Sequence, residues 1–351
     1  MSRVSARLIA FAALISLSGC LGRCGGDAPP ETPPEVAATP APEPATPADP
    51  VLAAVAELAE RAVDLPEPEA GVATGPRETF RRDALTLGNQ AVDDKRMDVV
   101  LAIADVLVQA EEVKSATAFL QRAVGLLKPT AGAKEHLLAL ADLKRIGGKP
   151  LEGASLMERA VDIEPPDAGD FVGLSRMYLA AGRIGPARAA VTRGLRAHPT
   201  DAALAIQGAE VQLVQGQSGP ALAAIPGEPA EAVRAFALRV KAEAQLVAGD
   251  LPAATATAKE LAAVDEAWGA LLSGAAAVAQ GKDGGADLAQ ARGLAVGRAG
   301  FDVQQALPWA EALVPGSPIS PWPRTTGQAP PTPKPAPAPA PMETPSPDAP
   351  Q

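Results

Sequence analysis

Residues 170–201 decide the fold, and they read DFVGLSRMYLAAGRIGPARAAVTRGLRAHPTD. Leu174 and Tyr178 are four residues apart, so they share one face of a helix. Gly182 follows at a position suited to a helix end, where a positive φ is expected. Ala187 is small and belongs to the facing stripe of a second helix, which allows the two helices to approach closely. The stretch therefore predicts two antiparallel helices joined by a tight turn.

The same pattern recurs every 33 or 34 residues. The turn glycines are Gly148, Gly182, Gly216 and Gly249, and small residues follow at Ala154, Ala187, Ala221 and Ala254. Prolines fall in the opening turn of each second helix, where the missing amide donor costs nothing. They are Pro150, Pro186, Pro220 and Pro252. A period of this length is typical of stacked helical repeats, in which each unit buries its apolar face against its neighbours.

The unit at 168–201 resembles the tetratricopeptide repeat family. The matching positions are Phe171, Leu174, Ser175, Tyr178, Gly182, Ala187, Val191, Gly194, Leu195 and Pro199. The resemblance implies a right-handed superhelix of helix pairs whose concave face, lined by the first helix of each pair, holds a peptide or a partner helix. The predicted fold class is all-α, a tetratricopeptide-repeat solenoid of antiparallel helix pairs flanked by disordered proline-rich arms.

The repeats and their flanking helices divide the chain. Six repeats are expected, at 97–130, 134–167, 168–201, 202–234, 235–266 and 267–300. Pro226 and Pro229 should shorten the second helix of the fourth repeat. Because the ends of a solenoid must be covered, residues 51–96 are interpreted as N-terminal capping helices and residues 301–314 as a C-terminal capping helix.

The N-terminus reads MSRVSARLIAFAALISLSGC, with two arginines ahead of an apolar run too short to span a bilayer. Its end closely resembles the lipobox of bacterial lipoproteins. The resemblance implies that residues 1–19 are a signal peptide and that Cys20 carries the lipid. Leu21 stands where that family associates an aspartate with inner-membrane retention, so the expected location is the periplasmic face of the bacterial outer membrane. An ordinary secretory signal or an uncleaved anchor is the alternative. Cys24 is either a free thiol or incidental.

Two proline-rich arms flank the helical part. Residues 20–50 contain the anchor cysteine and an acidic linker, and residues 315–351 form a tail with Arg324 and Lys334 as its bases. Proline fixes φ and lacks an amide donor, so both arms are expected to be extended and disordered. The first arm is interpreted as a spacer. The second is interpreted as a solubilising tail, with a ligand for a proline-binding partner as the alternative.

Composition argues against several functions. The formal net charge is -10 and only 3% of residues are aromatic, so the chain lacks the basic surface and stacking platforms of nucleic-acid-binding proteins. Two histidines and two cysteines do not suffice for a self-contained zinc site. Sequence motifs for phosphate binding or hydrolytic catalysis are missing as well. We predict no enzymatic activity, no cofactor, no metal site and no small-molecule substrate.

Superposing the repeats places five charged residues at one equivalent position on the side expected to face the groove. They are Asp105, Asp142, Arg176, Glu210 and Glu243, and Arg145 and Arg239 are their neighbours. These seven residues form the predicted partner-binding groove, which differs from the lysine- and asparagine-rich clamp of some family members. The alternative is a solvated helix face with no partner.

The sequence predicts a non-enzymatic adaptor or scaffold, anchored to the membrane by its N-terminal lipid, that binds protein partners of an envelope assembly through the repeat groove. A narrower version resembles the lipoproteins that help secretin or pilus pores assemble. The alternatives are an accessory subunit of a cell-wall or exopolysaccharide enzyme system, and a mechanical spacer that links the outer membrane to peptidoglycan.

Overall fold

The computed structural model describes residues 49–66, 75–126, 131–163 and 165–325, and within these ranges it contains fifteen helices and no strand. None of these helices is long and apolar enough to cross a membrane. In chain order they are α1 (Pro50–Val63), α2 (Gly75–Asp93), α3 (Met97–Gln109), α4 (Val113–Leu126), α5 (Ala131–Ile146), α6 (Pro150–Ile163), α7 (Ala168–Ala180), α8 (Ile184–Ala197), α9 (Ala202–Val214), α10 (Ser218–Ala224), α11 (Glu231–Ala248), α12 (Leu251–Ala262), α13 (Glu266–Ala279), α14 (Gly285–Leu294) and α15 (Gly297–Glu311).

The predicted signal peptide, the lipidation residue Cys20, Cys24 and the first proline-rich arm up to residue 48 lie outside the described residues, as does the tail from residue 326. The predicted N-terminal capping helices correspond to α1 and α2. Helix α1 packs mainly on α3, and α2 packs on both α1 and α3.

Consecutive helices pack in pairs from α3 to α14. Each first helix (α3, α5, α7, α9, α11 and α13) contacts the second helix that follows it, and it also contacts the first helix of the next pair. The first helices therefore form one continuous layer. This arrangement confirms the predicted fold class, an all-α helical-repeat solenoid.

The turns between paired helices confirm the role expected of glycine. The four predicted turn glycines all have a positive φ, between 68° and 81°, and Gly281 has a φ of 72° in the sixth repeat. Residues other than glycine are strained at a positive φ. Each of the four predicted turns can therefore reverse the chain within two or three residues, which brings the paired helices together.

Small residues allow close approach where helices cross. A Cβ atom at Gly153 on α6 would lie 2.7 Å from the carbonyl oxygen of Ala141 on α5. One at Gly194 would lie 2.7 Å from the Leu204 side chain. Ala187 is fully buried between α7 and its partner α8, as its small size predicted. Larger side chains at these positions would separate the helices.

Aspartates begin three of the first helices. The side chains of Asp167, Asp201 and Asp265 each accept a hydrogen bond from the backbone amide three residues later, at 2.9, 2.9 and 3.1 Å. At α7 the arrangement is reciprocal, since the Asp170 carboxylate accepts from the backbone amide of Asp167 at 2.9 Å. Such caps satisfy amides that have no partner inside the helix.

Two repeat boundaries differ from those predicted, while one short helix is confirmed. Helix α10 has only seven residues, as Pro226 and Pro229 required. Helix α11 then begins at Glu231 instead of residue 235, and α15 begins at Gly297 instead of residue 301. Helix α15 packs on α13 and α14, and it also contacts α3 near the other end of the array. The description of 301–314 as a terminal cap is therefore incomplete.

The prediction of a solvated tail from residue 315 is wrong for residues 319–325. Residues 311–318 are mostly exposed, but Trp322 and Arg324 are only 5% and 7% exposed. The indole of Trp309 on α15 donates a hydrogen bond to the Ser320 carbonyl at 2.9 Å. Proline prevents a helix here, but it does not prevent an extended chain from packing against helices. We call residues 319–325 the C-terminal segment.

Candidate functional site

A cavity of about 410 Å3 opens on the layer of first helices. Leu138, Met177 and Ala180 contribute apolar walls, and the lining also includes charged side chains from five helices. Five of the seven predicted groove residues are among them, namely Asp142, Arg145, Arg176, Glu210 and Arg239. We use the word groove for the surface of α5, α7, α9 and α11 that surrounds this cavity.

The two remaining predicted residues lie elsewhere on the same layer of helices. Glu243 on α11 is 1% exposed and lies beneath the C-terminal segment, next to the cavity. Asp105 on α3 is partly buried and does not line the cavity. Five of the seven residues that the superposition placed together therefore line one cavity, and α3 contributes none of them.

At the centre of the groove, Glu210 forms a buried ion pair with Arg239. The Arg239 guanidinium donates to Glu210 Oε1 at 2.6 Å, and the two residues are 8% and 2% exposed. Burial acts to raise the pKa of Glu210, but the guanidinium groups of Arg239, Arg324 and Arg176 outweigh it and lower the pKa to about 2. The carboxylate is consequently charged at neutral pH.

The C-terminal segment completes this charge cluster. Arg324 donates to both oxygens of Glu243, at 2.5 and 2.6 Å, and its Nε donates to Glu210 at 3.1 Å. The backbone amide of Trp322 donates to Glu243 at 3.1 Å. Burial acts to lower the pKa of Arg324, but the two carboxylates more than compensate and raise it. Two-pronged contacts of this kind are the strongest that arginine makes with carboxylates.

Aromatic rings and guanidinium groups alternate along the groove. Arg176 lies over the ring of Phe236 at 4.4 Å, and Arg239 lies 5.2 Å from the same ring. Arg239 is also 4.9 Å from the Trp268 ring, whose centroid is 5.5 Å from that of Trp322. This stacked row ends with Arg324 over Trp322, at 4.7 Å. Each contact adds cation–π or aromatic attraction to the packing.

The two ends of the row differ in their surroundings. Trp268 and Trp322 belong to the apolar core formed by α11 to α15. Arg176, at the other end, is exposed at the cavity. The row therefore leads from a buried, apolar end to one that water reaches.

Helix α15 closes the opposite side of the cavity. Arg145 on α5 donates hydrogen bonds to Asp142 and to Asp302 of α15, and its guanidinium lies 5.1 Å from the ring of Phe301. Burial acts to lower the pKa of Arg145, but the two aspartates overcome this effect and raise it. Asp302 has a side chain that is 40% exposed, so this contact lies at the edge of the cavity.

Sequence reasoning missed the residues that occupy the groove. It assigned Arg324 to a tail without a charge cluster, whereas Arg324 pairs with two of the predicted groove acids. The alternative of a solvated helix face is wrong for Glu210, Arg239 and Glu243, which are all buried. The sequence did contain a signal for this contact. Glu210 and Glu243 occupy equivalent repeat positions, and the proline-rich tail contains Arg324 two residues after Trp322.

The next feature is the placement of groups that could bind a metal ion, and of the two histidines. The described residues contain no group of three or more histidines, cysteines or acids that could hold a metal ion. His136 is fully buried on α5. His198, which ends α8, contacts the carbonyl oxygen of Pro166 through Nε2 at 3.0 Å.

Comparison with known proteins adds little to this description. No protein-family model matches the chain, and no curated protein matches it. Among solved structures it is similar to YrrB, described as a TPR protein with an unusual peptide-binding site, at 16% sequence identity and a TM-score of 0.33. The match covers 51% of this chain and 92% of that chain. The assignment of a helical-repeat solenoid therefore depends on the helices and their packing.

Proposed function

We propose that this protein is a lipid-anchored scaffold of the bacterial envelope, and that its groove binds an extended segment of a protein partner. One observation carries the binding part of the proposal. The groove already holds an extended stretch of polypeptide, the C-terminal segment, through two side chains and a backbone amide. A surface that accommodates one such chain has the shape and polarity to accommodate another.

The anchoring part of the proposal comes from the N-terminal sequence. Arg3 and Arg7, the apolar run and Cys20 directly after Leu-Ser-Gly follow the order of a lipoprotein signal. More than one acyl chain on Cys20 would hold the protein at a membrane almost irreversibly. The proline-rich arm would then let the groove reach partners at a distance from the membrane surface.

The groove itself supports binding over catalysis. Its charged side chains are paired with one another, and its aromatic rings are stacked against arginines. None of these groups is positioned as a nucleophile beside a general base. Paired charges and aromatic rings at close range are typical of surfaces that recognise a peptide.

The experiment is affinity capture of the full-length protein in mild detergent, followed by identification of the bound proteins. We expect a defined envelope protein to be captured, and Glu243→Gln to weaken its capture relative to the exposed control Glu260→Gln. A pore-forming partner would support an assembly role, and a synthase or hydrolase would support the accessory role. Recovery of lipid and peptidoglycan alone would contradict the scaffold.

Lipidation needs its own test. Cells that express the wild type or Cys20→Ala are fractionated after labelling with a fatty-acid probe. We expect the wild type to carry the probe and to sediment with the membranes, and the variant to lack the label and to leave the membrane fraction. Equal labelling of the two proteins would contradict an anchor at Cys20.

A further inference from the structure

The C-terminal segment is bound in the manner of a ligand. Among the described residues, the hydrogen bonds that reach the Glu243 carboxylate all come from Trp322 and Arg324. The chain between α15 and this segment is exposed and carries no helix, so the segment is attached by a linker. Its contacts join residues 81 and 114 positions apart in the sequence.

The segment crosses several first helices in succession. Trp322 packs on Trp268 of α13, and Arg324 binds acids of α11 and α9. Thr325 lies at the turn that follows α7, where its methyl group would be 3.4 Å from a Cβ atom at Gly182. The contacts of residues 322–325 therefore reach three first helices and the turn after α7, largely through the long side chains of Trp322 and Arg324.

The fit of the segment is imperfect in two respects. Arg324 has a φ of 58°, and a left-handed backbone is unfavourable for a residue other than glycine. Glu210 Oε2 is buried and has no hydrogen-bond partner among the described residues, although Glu210 lines the cavity. A ligand with a relaxed backbone and one further donor would remove both costs.

The cavity extends beyond the segment. It continues from Trp322 and Arg324 past Glu210 to Arg176 and Asp142 on α7 and α5. The segment binds acids of α9 and α11, so the part of the cavity lined by Asp142 and Arg176 lies beyond its ion pairs. A longer polypeptide could fill both parts, with its arginine on Glu243 and its additional residues along α7 and α5.

We propose that the groove recognises a partner segment in which an aromatic residue and an arginine are separated by one residue, and that the C-terminal segment is an internal competitor for this site. The inference rests on the proposed function, because it names the chemistry of the partner for the same groove. The aromatic side chain would pack on Trp268, and the arginine would bind Glu243 and Glu210. Partner binding would release the C-terminal segment.

The experiment uses a fluorescent peptide, SPISPWPRT, which copies residues 317–325. It is titrated against the full-length wild type and against a full-length variant that carries Trp322→Ala and Arg324→Ala. We expect the variant to bind the peptide at least about tenfold more tightly, because only the fraction of wild type with a released segment can bind. Equal affinity for the two proteins would overturn the proposal.

Matched changes test the recognised chemistry. A peptide with lysine in place of the arginine keeps the charge but loses the two-pronged contact, and it should bind at least about fivefold more weakly. We call the protein with Trp322→Ala and Arg324→Ala the released variant. Adding Glu243→Gln to it should weaken peptide binding about tenfold or more, because a charged partner of the peptide's arginine is lost. A peptide that binds equally with arginine or alanine would also overturn the proposal.

A second protein keeps the proposal testable if the released variant does not fold. A protease site inserted between Gly316 and Ser317, which are both exposed, allows the linker to be cut in the folded full-length chain. We expect the cut segment to be displaced by an excess of the peptide while the helical circular dichroism persists. Loss of helicity with the segment would show that it is part of the core, and would overturn the proposal.

Two further outcomes are distinguishable. A wild-type dimer that Arg324→Ala converts to a monomer would show that the segment comes from a second copy, which contradicts an internal competitor. Peptide binding without any captured envelope partner would contradict the proposed function and leave this inference supported. A captured envelope partner without peptide binding would support the proposed function and contradict this inference.

Discussion

The helix pair at residues 168–201 and the C-terminal segment are held in place by different interactions. The helix pair is stabilised by apolar contacts between neighbouring elements, with Leu174 and Ala187 fully buried. The C-terminal segment is held by charges and aromatic rings that come from helices far away in the sequence. The first region depends on packing between nearby residues, and the second depends on the finished solenoid.

The difference has a consequence for stability and for function. Packing of large apolar side chains in a repeat contributes to the stability of the array itself. Under the proposal of an internal competitor, the segment leaves its site without breaking any helix, and water then covers the groove. A binding site can therefore be covered and uncovered while the fold persists.

The largest effect should come from Glu210→Lys, which places a third cation beside Arg239 and Arg324. Breaking a buried ion pair by removing one partner costs about 3–5 kcal/mol. The free energy of unfolding, measured by urea denaturation, should fall by that amount. Glu260→Lys makes the same charge change on an exposed part of α12 and should alter stability by less than about 0.5 kcal/mol. Similar results for the two variants would show that Glu210 is not buried.

Leu174→Ala tests the helix pair without touching the segment. Leu174 is fully buried between helices, and removing its side chain leaves a cavity that costs about 2–5 kcal/mol. The midpoint of urea unfolding should decrease, while peptide binding by the released variant should persist. Leu126→Ala is the control, since Leu126 is 62% exposed. Loss of peptide binding together with retained stability would contradict the separation of the two regions.

Acid should loosen the segment before it unfolds the helix pair. The folded-state pKa of Glu210 is about 2, below the ordinary value of 4.5, so its stabilisation is complete above pH 4.5 and is lost as the pH falls towards 2. Between pH 5 and pH 3 the loss should be about 2 kcal/mol.

Tryptophan fluorescence compared between wild type and Trp322→Phe would report release of the segment, and far-ultraviolet circular dichroism would report the helices. In Glu210→Gln the acid-induced fluorescence change should be much smaller. A change that is the same in both proteins would assign the transition to other carboxylates.

The smallest effect concerns the turn. Gly182 has a φ of 68°, so Gly182→Ala should destabilise the protein by about 1 kcal/mol. Gly125 lies within α4, where an added Cβ atom would meet open space, so Gly125→Ala should stabilise by about 0.5 kcal/mol. Opposite signs, read from thermal unfolding, would confirm that the turn is set by backbone conformation. Equal signs would contradict it.

The sequence predicted the repeats because their signals are local. Turn glycines, small residues at helix crossings and prolines in the first turn of a helix act within one repeat, so each could be interpreted without knowing the rest of the chain. The positive φ at Gly182 and the burial of Ala187 follow directly from those signals.

The occupied groove could not be predicted in the same way. Superposing the repeats placed Glu210 and Glu243 on one surface, but their partner Arg324 lies in a stretch whose composition indicated a solvated tail. Burial of Trp322 and pairing of Arg324 outweigh the disfavoured backbone of a proline-rich stretch, and both depend on helices 79 and 114 positions away. Local patterns contain no information about such contacts.

The most direct test is a double-mutant cycle between Glu243 and Arg324. The free energy of unfolding is measured for the wild type, Glu243→Gln, Arg324→Gln and the double variant. We predict a coupling energy of about 1–3 kcal/mol, because each single change removes the same two-pronged contact. A coupling energy near zero would show that Arg324 does not bind Glu243 in solution, and would contradict a groove occupied by the C-terminal segment.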